Sequence, residues 1–412
     1  MALVINVSAS ELKRSDAAEP YLIRLYKTKD FFTYGGKSVQ VAETGAHVFE
    51  GGVRHTYLLE RVRHWRFILL VFSLVLFLSV FLATAVGSTY VGPSAILNAF
   101  RLGIYDLLSK LGVELGAHAG ETAETQKLII LDIRLPRVIL GALVGAALAV
   151  SGAALQGLFK NPMADPYVIG ISSGALFGVT LAHCLPLLSL LAAACAKQVF
   201  AFLGSLLAVF LVYNIARTGS RIPVDMLLLA GIATSFLFHA VSSLILYLTL
   251  QGDWHQIISW VLGGLWLASW GQVEAAFLPV VICTISLLFF ARDLNAMLLG
   301  EESALHVGIE VEKVKKIILV LASVAAASAV AVSGTIGFVG LMVPHAVRLV
   351  VGPDHRILLP ASALAGASFL IWADALARVS SLEIPVGLIT AISGVPFFIY
   401  LLLRRKRAIA YA

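Results

Sequence analysis

From residue 67 onward the chain is a succession of long apolar runs, each bounded by a short polar, glycine- or proline-containing stretch. Ten of these runs approach the length of about 20 residues that a helix needs to cross the hydrocarbon core of a bilayer. They are Phe67–Gly87, Val138–Gly157, Val168–Leu187, Val199–Ala216, Met226–Leu250, Gln272–Ala291, Ile317–Gly334, Gly337–Val351, Leu358–Ala377 and Pro385–Leu403. The eighth is short and interrupted by Pro344. The runs are continuously apolar and do not alternate, which predicts helices and excludes a transmembrane strand barrel. The expected fold class is an all-α integral membrane protein of about ten transmembrane helices.

Lys and Arg collect on the cytoplasmic side of membrane proteins and so orient the chain. Arg61, Arg63 and Arg66 precede the first run, and Arg404, Arg405, Lys406 and Arg407 follow the last. Both ends are therefore expected in the cytoplasm, which an even number of spans satisfies. Threading from the ends places Lys160, Arg217 with Arg221, the 292–316 segment, and Arg348 with Arg356 inside as well. Arg134, Arg137 and Arg378 then fall on the outer side, against the rule, with Lys197 a weaker case.

Composition agrees with this pattern. The 412 residues are 59% hydrophobic and only 13% charged, with a mean hydropathy of +0.92, whereas soluble domains are about 25% charged. A soluble enzyme, a secreted domain and a DNA binder are all excluded, and the formal charge of +6 is a topology signal, not a nucleic-acid patch. Cys184, Cys195 and Cys283 sit in apolar surroundings without C-x-x-C spacing, so neither a disulfide framework nor a zinc site is expected. Residues 1–65 form a polar N-terminal extension, expected in the cytoplasm, with no secretory signal pattern ahead of Phe67. Gly36-Lys37-Ser38 has the spelling that ends a phosphate-binding loop, but Phe31 stands where that loop needs glycine.

Ala149-Val150-Ser151-Gly152 recurs as Ala331-Val332-Ser333-Gly334, an offset of 182 that also maps Pro162 onto Pro344 and Gly170 onto Gly352. Small residues let helix backbones approach, while Pro and Gly let a helix break where neighbours re-satisfy its backbone. Structural breaks are therefore expected at Gly152, Pro162, Gly334 and Pro344. The copies end the second and seventh runs, five spans apart, so they enter from opposite sides. Such an inverted repeat is how transporters build a path between two halves.

Other candidate chemistry is weak. Gly170-Ile171-Ser172-Ser173-Gly174 spells a hydrolase elbow but opens an apolar helix instead of following a strand. His239 and His345 are possible metal ligands in transit, with packed or capping roles as the alternative. Asp374 is a costly intramembrane carboxylate that can pair with Arg378 one helical turn later. Trp254, Trp260, Trp266 and Trp270 suit an interfacial helix at headgroup level.

Several motifs resemble those of FecCD-type permeases, the membrane subunits of ATP-driven importers for iron chelates, haem and cobalamin. They include Arg134-Leu-Pro-Arg137, Gly145 to Gly152, Leu155-Gln-Gly157 and Asn161-Pro-Met-Ala-Asp-Pro166. Gly300-Glu-Glu-Ser-Ala-Leu305, Gly334 to Gly340, Val343 to Arg348, Gly352 to Arg356, Asp374 to Arg378 and Ile384 to Gly387 continue the series. The resemblance covers about residues 65–407 and implies a ten-span permease domain over residues 66–407, with an inverted repeat and the type II ABC importer fold. It implies a permease without catalytic residue, cofactor or metal of its own. ATP and magnesium would belong to two ATP-binding cassette subunits that serve a homodimer or other pair of permeases, supplied by a periplasmic or surface substrate-binding protein. It places the chain in the plasma (inner) membrane of a prokaryote, with an iron(III)-siderophore, haem or cobalamin as cargo. Leu299, Gly300, Glu301, Ser303, Ala304, Leu305 and Gly308, within a coupling segment at 292–313, inherit the role of engaging the ATPase. Two short helices are expected there, Asn295–Leu299 and Glu302–Val307. Arg134, Arg137 and Arg378 match positions that pair with glutamates of the binding protein. The competing readings are an ion-coupled secondary transporter and an intramembrane hydrolase.

Overall fold

The structure, a computed structural model, describes residues 31–34, 37–40, 52–87, 92, 94, 96, 98–99, 101, 121–184, 196–219, 221–249, 254–379 and 383–410. Leu185–Leu187, Cys195, Leu250 and most of the 90–133 segment ahead of residue 121 lie outside the described residues. The chain divides into two units, residues 1–60 and 61–412. In the first, strands β1 (Phe31–Tyr34) and β2 (Lys37–Gln40) pair antiparallel, Phe31 opposite Gln40 and Tyr34 opposite Lys37. Lys37 and Ser38 therefore belong to a strand and not to a phosphate-binding turn.

The second unit is helical. The helices of the chain in order are α1 (Gly52–Ala85, of which residues 52–60 belong to the first unit), α2 (Glu121–Leu128), α3 (Leu135–Leu158), α4 (Ile171–Cys184), α5 (Ala196–Ala216), α6 (Val224–Thr249) and α7 (Trp254–Leu262). They continue as α8 (Trp270–Phe289), α9 (Ala291–Leu298), α10 (Glu301–His306), α11 (Val311–Ser333), α12 (Val339–Val351), α13 (His355–Val379) and α14 (Val386–Ala410). A π-helical segment, Ile129–Arg134, joins α2 to α3, so the second span is helical from Thr125 to Leu158, far longer than the Val138–Gly157 run.

Among the described residues eight helices are long and apolar enough to cross a membrane, and two shorter apolar ones, α4 and α12, fill the remaining expected positions. The 13 residues of α12 rise only about 20 Å, short of a hydrocarbon core of about 30 Å. Each short helix is preceded by non-α backbone inside the bundle: a 3-10 turn at Pro166–Ile169 before α4, and the Gly334–Phe338 link before α12.

The repeat is visible in the elements. The helices α3 to α6 have 24, 14, 21 and 26 residues, and α11 to α14 have 23, 13, 25 and 25. Equivalent starts are 176 residues apart at Leu135 and Val311 but 159 apart at Ala196 and His355. Because loop and helix lengths drift between the halves, a constant offset of 182 does not pair equivalent positions. Two of the expected breaks are corrected accordingly. Gly152 lies inside α3, which runs on to Leu158, and Pro344 lies inside α12, which runs on to Val351. Pro162 is in the turn after α3, and Gly334 follows the last residue of α11.

The reason for glycine at 152 is contact. A Cβ there would sit 1.8 Å from the carbonyl oxygen of Gly340, so α3 and α12 touch backbone to backbone. Gly145 and Gly366 do the same between α3 and α13. Helix α3 is thus the buried centre of the bundle, packed by α8, α11, α12 and α13. Helix α1 lies at its edge and exposes Phe67, Leu70, Leu74 and Phe77, the surface that lipid would cover.

Candidate functional site

At the end of the bundle where α8 terminates, the chain forms two short helices, α9 and α10, turned against each other at Gly300. Gly300 has φ 128° and ψ 147°, a conformation that costs a side-chain-bearing residue strain. The pair is anchored from below. Ala291, Leu294 and Met297 of α9 and Ala304 of α10 are buried, with α9 packed on α3 and α13. Lys315 of α11, almost wholly buried, reaches Glu301 at 2.9 Å and Glu312 at 3.0 Å. Glu312 in turn accepts the backbone N–H of Ile222 at 2.9 Å. Gly308 ends α10, its N–H donating to the Leu305 carbonyl at 2.9 Å.

Above this anchor the apolar side chains point outward. Leu299 is 82% exposed, and Leu305 and Val307 are also largely open. Beside them is a groove of about 620 Å³ whose lining includes Arg221, Glu301, Glu302, Leu305, Glu310 and Glu312. A rigid base carrying bare apolar knobs and carboxylates suits a surface that another protein grips. Helix boundaries differ from expectation by a few residues: α9 begins at Ala291 instead of Asn295, because Ala291 and Leu294 find a buried seat.

The three arginines are brought together at the opposite end of α13, but not as an exposed patch. Arg134, Arg137 and Arg378 are 6%, 7% and 5% exposed. Arg134 donates to the carbonyls of Thr84 (3.2 Å) and Ala85 (3.0 Å), and Arg378 to those of Ala83 (3.1 Å) and Val86 (3.0 Å). The first three of these residues in sequence, Ala83, Thr84 and Ala85, supply the last carbonyls of α1, which have no partner within the helix and carry the negative end of its dipole, and Val86 follows directly. Arg137 Nε donates to Asp374 Oδ1 at 2.9 Å, and Arg378 Nε lies 2.9 Å from Asp374 Oδ2. Arg137 also reaches Glu383 at 3.4 Å. The three arginines thus cap one helix and neutralise one carboxylate. Within this chain their guanidinium groups face inward. The outlying signal was legible; its partners, hundreds of residues away, were not.

Between these two ends the interrupted backbone is re-satisfied by specific groups. Tyr167 donates its hydroxyl to the Ile336 carbonyl (2.9 Å) and accepts the Ile336 N–H (3.2 Å). Gln156 Nε2 donates to Gly340 (3.3 Å) and Leu341 (3.2 Å), and the Gly264 N–H to Ser333 (2.8 Å). The remaining candidates take structural places. Ser173 donates to the Gly170 carbonyl at 3.0 Å within helical surroundings, His239 is an exposed residue of α6, and His345 meets the Phe397 ring edge-on. Trp270 Nε1 donates to the Leu131 carbonyl at 3.1 Å. Among the described residues no three His, Cys, Asp or Glu converge as a metal site.

A family model, the FecCD transport family, matches residues 74–404. The chain belongs to the FecCD family. It is 49% identical over 283 residues to the cobalamin import system permease protein BtuC of Halobacterium salinarum, covering 69% of this chain and 75% of that one. To the hemin transport system permease protein HmuU of Yersinia pestis it is 44% identical over 281 residues, covering 68% and 84%. A solved structure described as an inward-facing conformation of a metal-chelate type ABC transporter superposes with a TM-score of 0.69 at 29% identity, over 82% of this chain and 99% of the other. The FecCD chain is therefore a multi-pass membrane permease of the ABC importer class, and its helical bundle is a transport fold.

Proposed function

We propose that this FecCD permease imports a metal chelate of the siderophore, haem or cobalamin class, driven by ATP hydrolysis on separate subunits. Two permeases work with two ATP-binding cassette subunits, which bind ATP and magnesium and grip Leu299, Gly300, Glu301, Ser303, Ala304, Leu305 and Gly308. A substrate-binding protein delivers cargo at the end where Arg134, Arg137 and Arg378 lie. Both termini are in the cytoplasm, and the membrane is the plasma (inner) membrane of a prokaryote. The observation that carries this reading is the α9–α10 pair: helices whose buried face is fixed by Leu294, Met297 and Lys315 and whose open face is Leu299, Leu305 and Val307. An exposed apolar surface on a fixed base needs a partner. The arginines then serve docking indirectly, by holding the ends of α1, α3 and α13 in place.

Reconstitution with the ATPase and binding protein in proteoliposomes, using cobalamin, haemin and a ferric hydroxamate as probes, tests this. ATP-dependent accumulation of one probe is expected, and Leu299→Asp should abolish co-purification of the ATPase while leaving the permease folded. Uptake driven by an ion gradient without the ATPase would overturn the proposal. The ion-coupled alternative has little support in Asp374, whose charge is matched by Arg137 and Arg378.

A further inference from the structure

At the contact between α9 and α13, Asn295 uses both ends of its amide. Asn295 Nδ2 donates to Asp354 Oδ1 at 2.7 Å. Asn295 Oδ1 accepts the backbone N–H of His355 at 2.9 Å and lies 2.8 Å from His355 Nδ1. With the amide oriented by these partners, Oδ1 is an acceptor, so Nδ1 carries the imidazole proton. Its other nitrogen, Nε2, faces Gly157 near the end of α3, where a Cβ would come within 2.5 Å of it. His355 is 1% exposed and is the first residue of α13.

Asp354 completes the joint. Its carbonyl accepts the N–H groups of Ile357 (3.2 Å) and Leu358 (2.9 Å), and its carboxylate accepts the Arg356 N–H at 3.0 Å. It therefore caps the N-terminus of α13. Arg356 holds the same carboxylate through Nη2 at 2.6 Å and lies over the Trp65 ring of α1 at 5.1 Å. A shift of α9 must either take this capped end with it or break three hydrogen bonds at a largely buried junction, which disfavours independent motion. Helix α13 runs unbroken from this joint, with Pro360 inside it. Its 25 residues extend about 37 Å, and its far end carries Asp374 and Arg378, bonded to α3 and α1.

We propose that Asn295 is a positioning residue that makes the start of α13 follow α9, so that a push on Leu299–Gly308 is delivered to the Asp374–Arg378 end of the bundle. This rests on the proposed engagement of that segment by the ATPase.

The test uses the assembled permease–ATPase complex in nanodiscs, with a spin label at Val379, an exposed residue at the end of α13. Label-to-label distances across the permease pair are measured without nucleotide and with ATP and vanadate. In the parent the distance shifts. In Asn295→Ala the shift between the nucleotide-free and the vanadate-trapped state falls about threefold or more, the size of effect a coupling residue exerts. Asn295→Asp, which opposes two carboxylates, behaves likewise. The exchanged pair Asn295→Asp with Asp354→Asn restores the shift, because the carboxylate and amide have traded places. A purely structural role would instead lower the amount of assembled complex and would not be rescued by the exchange. A full shift in Asn295→Ala, or an immobile label in an ATP-hydrolysing parent, overturns the proposal. A parent that binds no ATPase would defeat the proposed function instead.

Discussion

Arg137 and Asp374 are 237 positions apart in the chain and 2.9 Å apart in the bundle, with 9% and 1% of their side chains exposed. Burying a carboxylate is tolerated because two guanidinium groups meet it, Arg137 from α3 and Arg378 from its own helix. Removing the shared anion leaves both cations without their counter-charge. Asp374→Ala is expected to destabilise the permease by about 3–5 kcal/mol, as for other buried pairs broken on one side. Thermal unfolding of the detergent-solubilised protein measures this. A midpoint equal to that of the parent would mean the cluster is hydrated and not buried.

Backbone contact at the α3–α12 crossing gives a second expectation. Gly152→Ala places a methyl group 1.8 Å from the Gly340 oxygen, and neither backbone can yield without moving a helix. The cost should be at least about 1–3 kcal/mol, the usual penalty of overpacking. Gly271→Ala, whose new methyl would find its nearest neighbour at 4.0 Å near the start of α8, should be neutral or stabilising by up to about 1 kcal/mol. Equal effects in the two variants would show that the crossing is loose.

Acid sensitivity follows from Asp354. Burial works against its ionisation, but hydrogen bonds from Arg356 and Asn295 outweigh this and hold the carboxyl at about 2, below the ordinary 3.8. The unfolded chain then binds the proton more readily than the folded one. Stability from this group is therefore present above about pH 4 and lost as pH falls toward 2. Unfolding midpoints at a series of pH values across that window should fall less steeply in Asp354→Asn than in the parent. Parallel curves would contradict the assignment.

Much of this architecture is written locally. Each apolar run is its own signal, and the ten expected runs emerge as eight full spans and the short helices α4 and α12. The α9–α10 pair was legible from Gly300, Glu301 and Gly308 because glycine punctuation and acidic first turns act within a few residues. What the sequence concealed was pairing across the fold. Nothing near Arg137 indicates Asp374, and nothing near Asn295 indicates His355, sixty positions on. The same holds for the end of α1: nothing near Arg134 or Arg378 announces the carbonyls of Ala83, Thr84 and Ala85 that they meet. The repeat was sensed through a short peptide match, but helix and loop lengths had drifted, and only the succession of elements shows which parts correspond.

The capping of α1 has a consequence for how the molecule is made. Its terminal carbonyls emerge from synthesis long before Arg378, which donates to Ala83 across 295 positions and to Val86 across 292. Arg134 arrives sooner and can satisfy Thr84 and Ala85. Until the ninth hydrophobic stretch has entered the bilayer, the first helix is only half moored. The earliest-born segment must therefore wait beside the growing assembly, and a nascent chain halted before Arg378 should leave it free to drift.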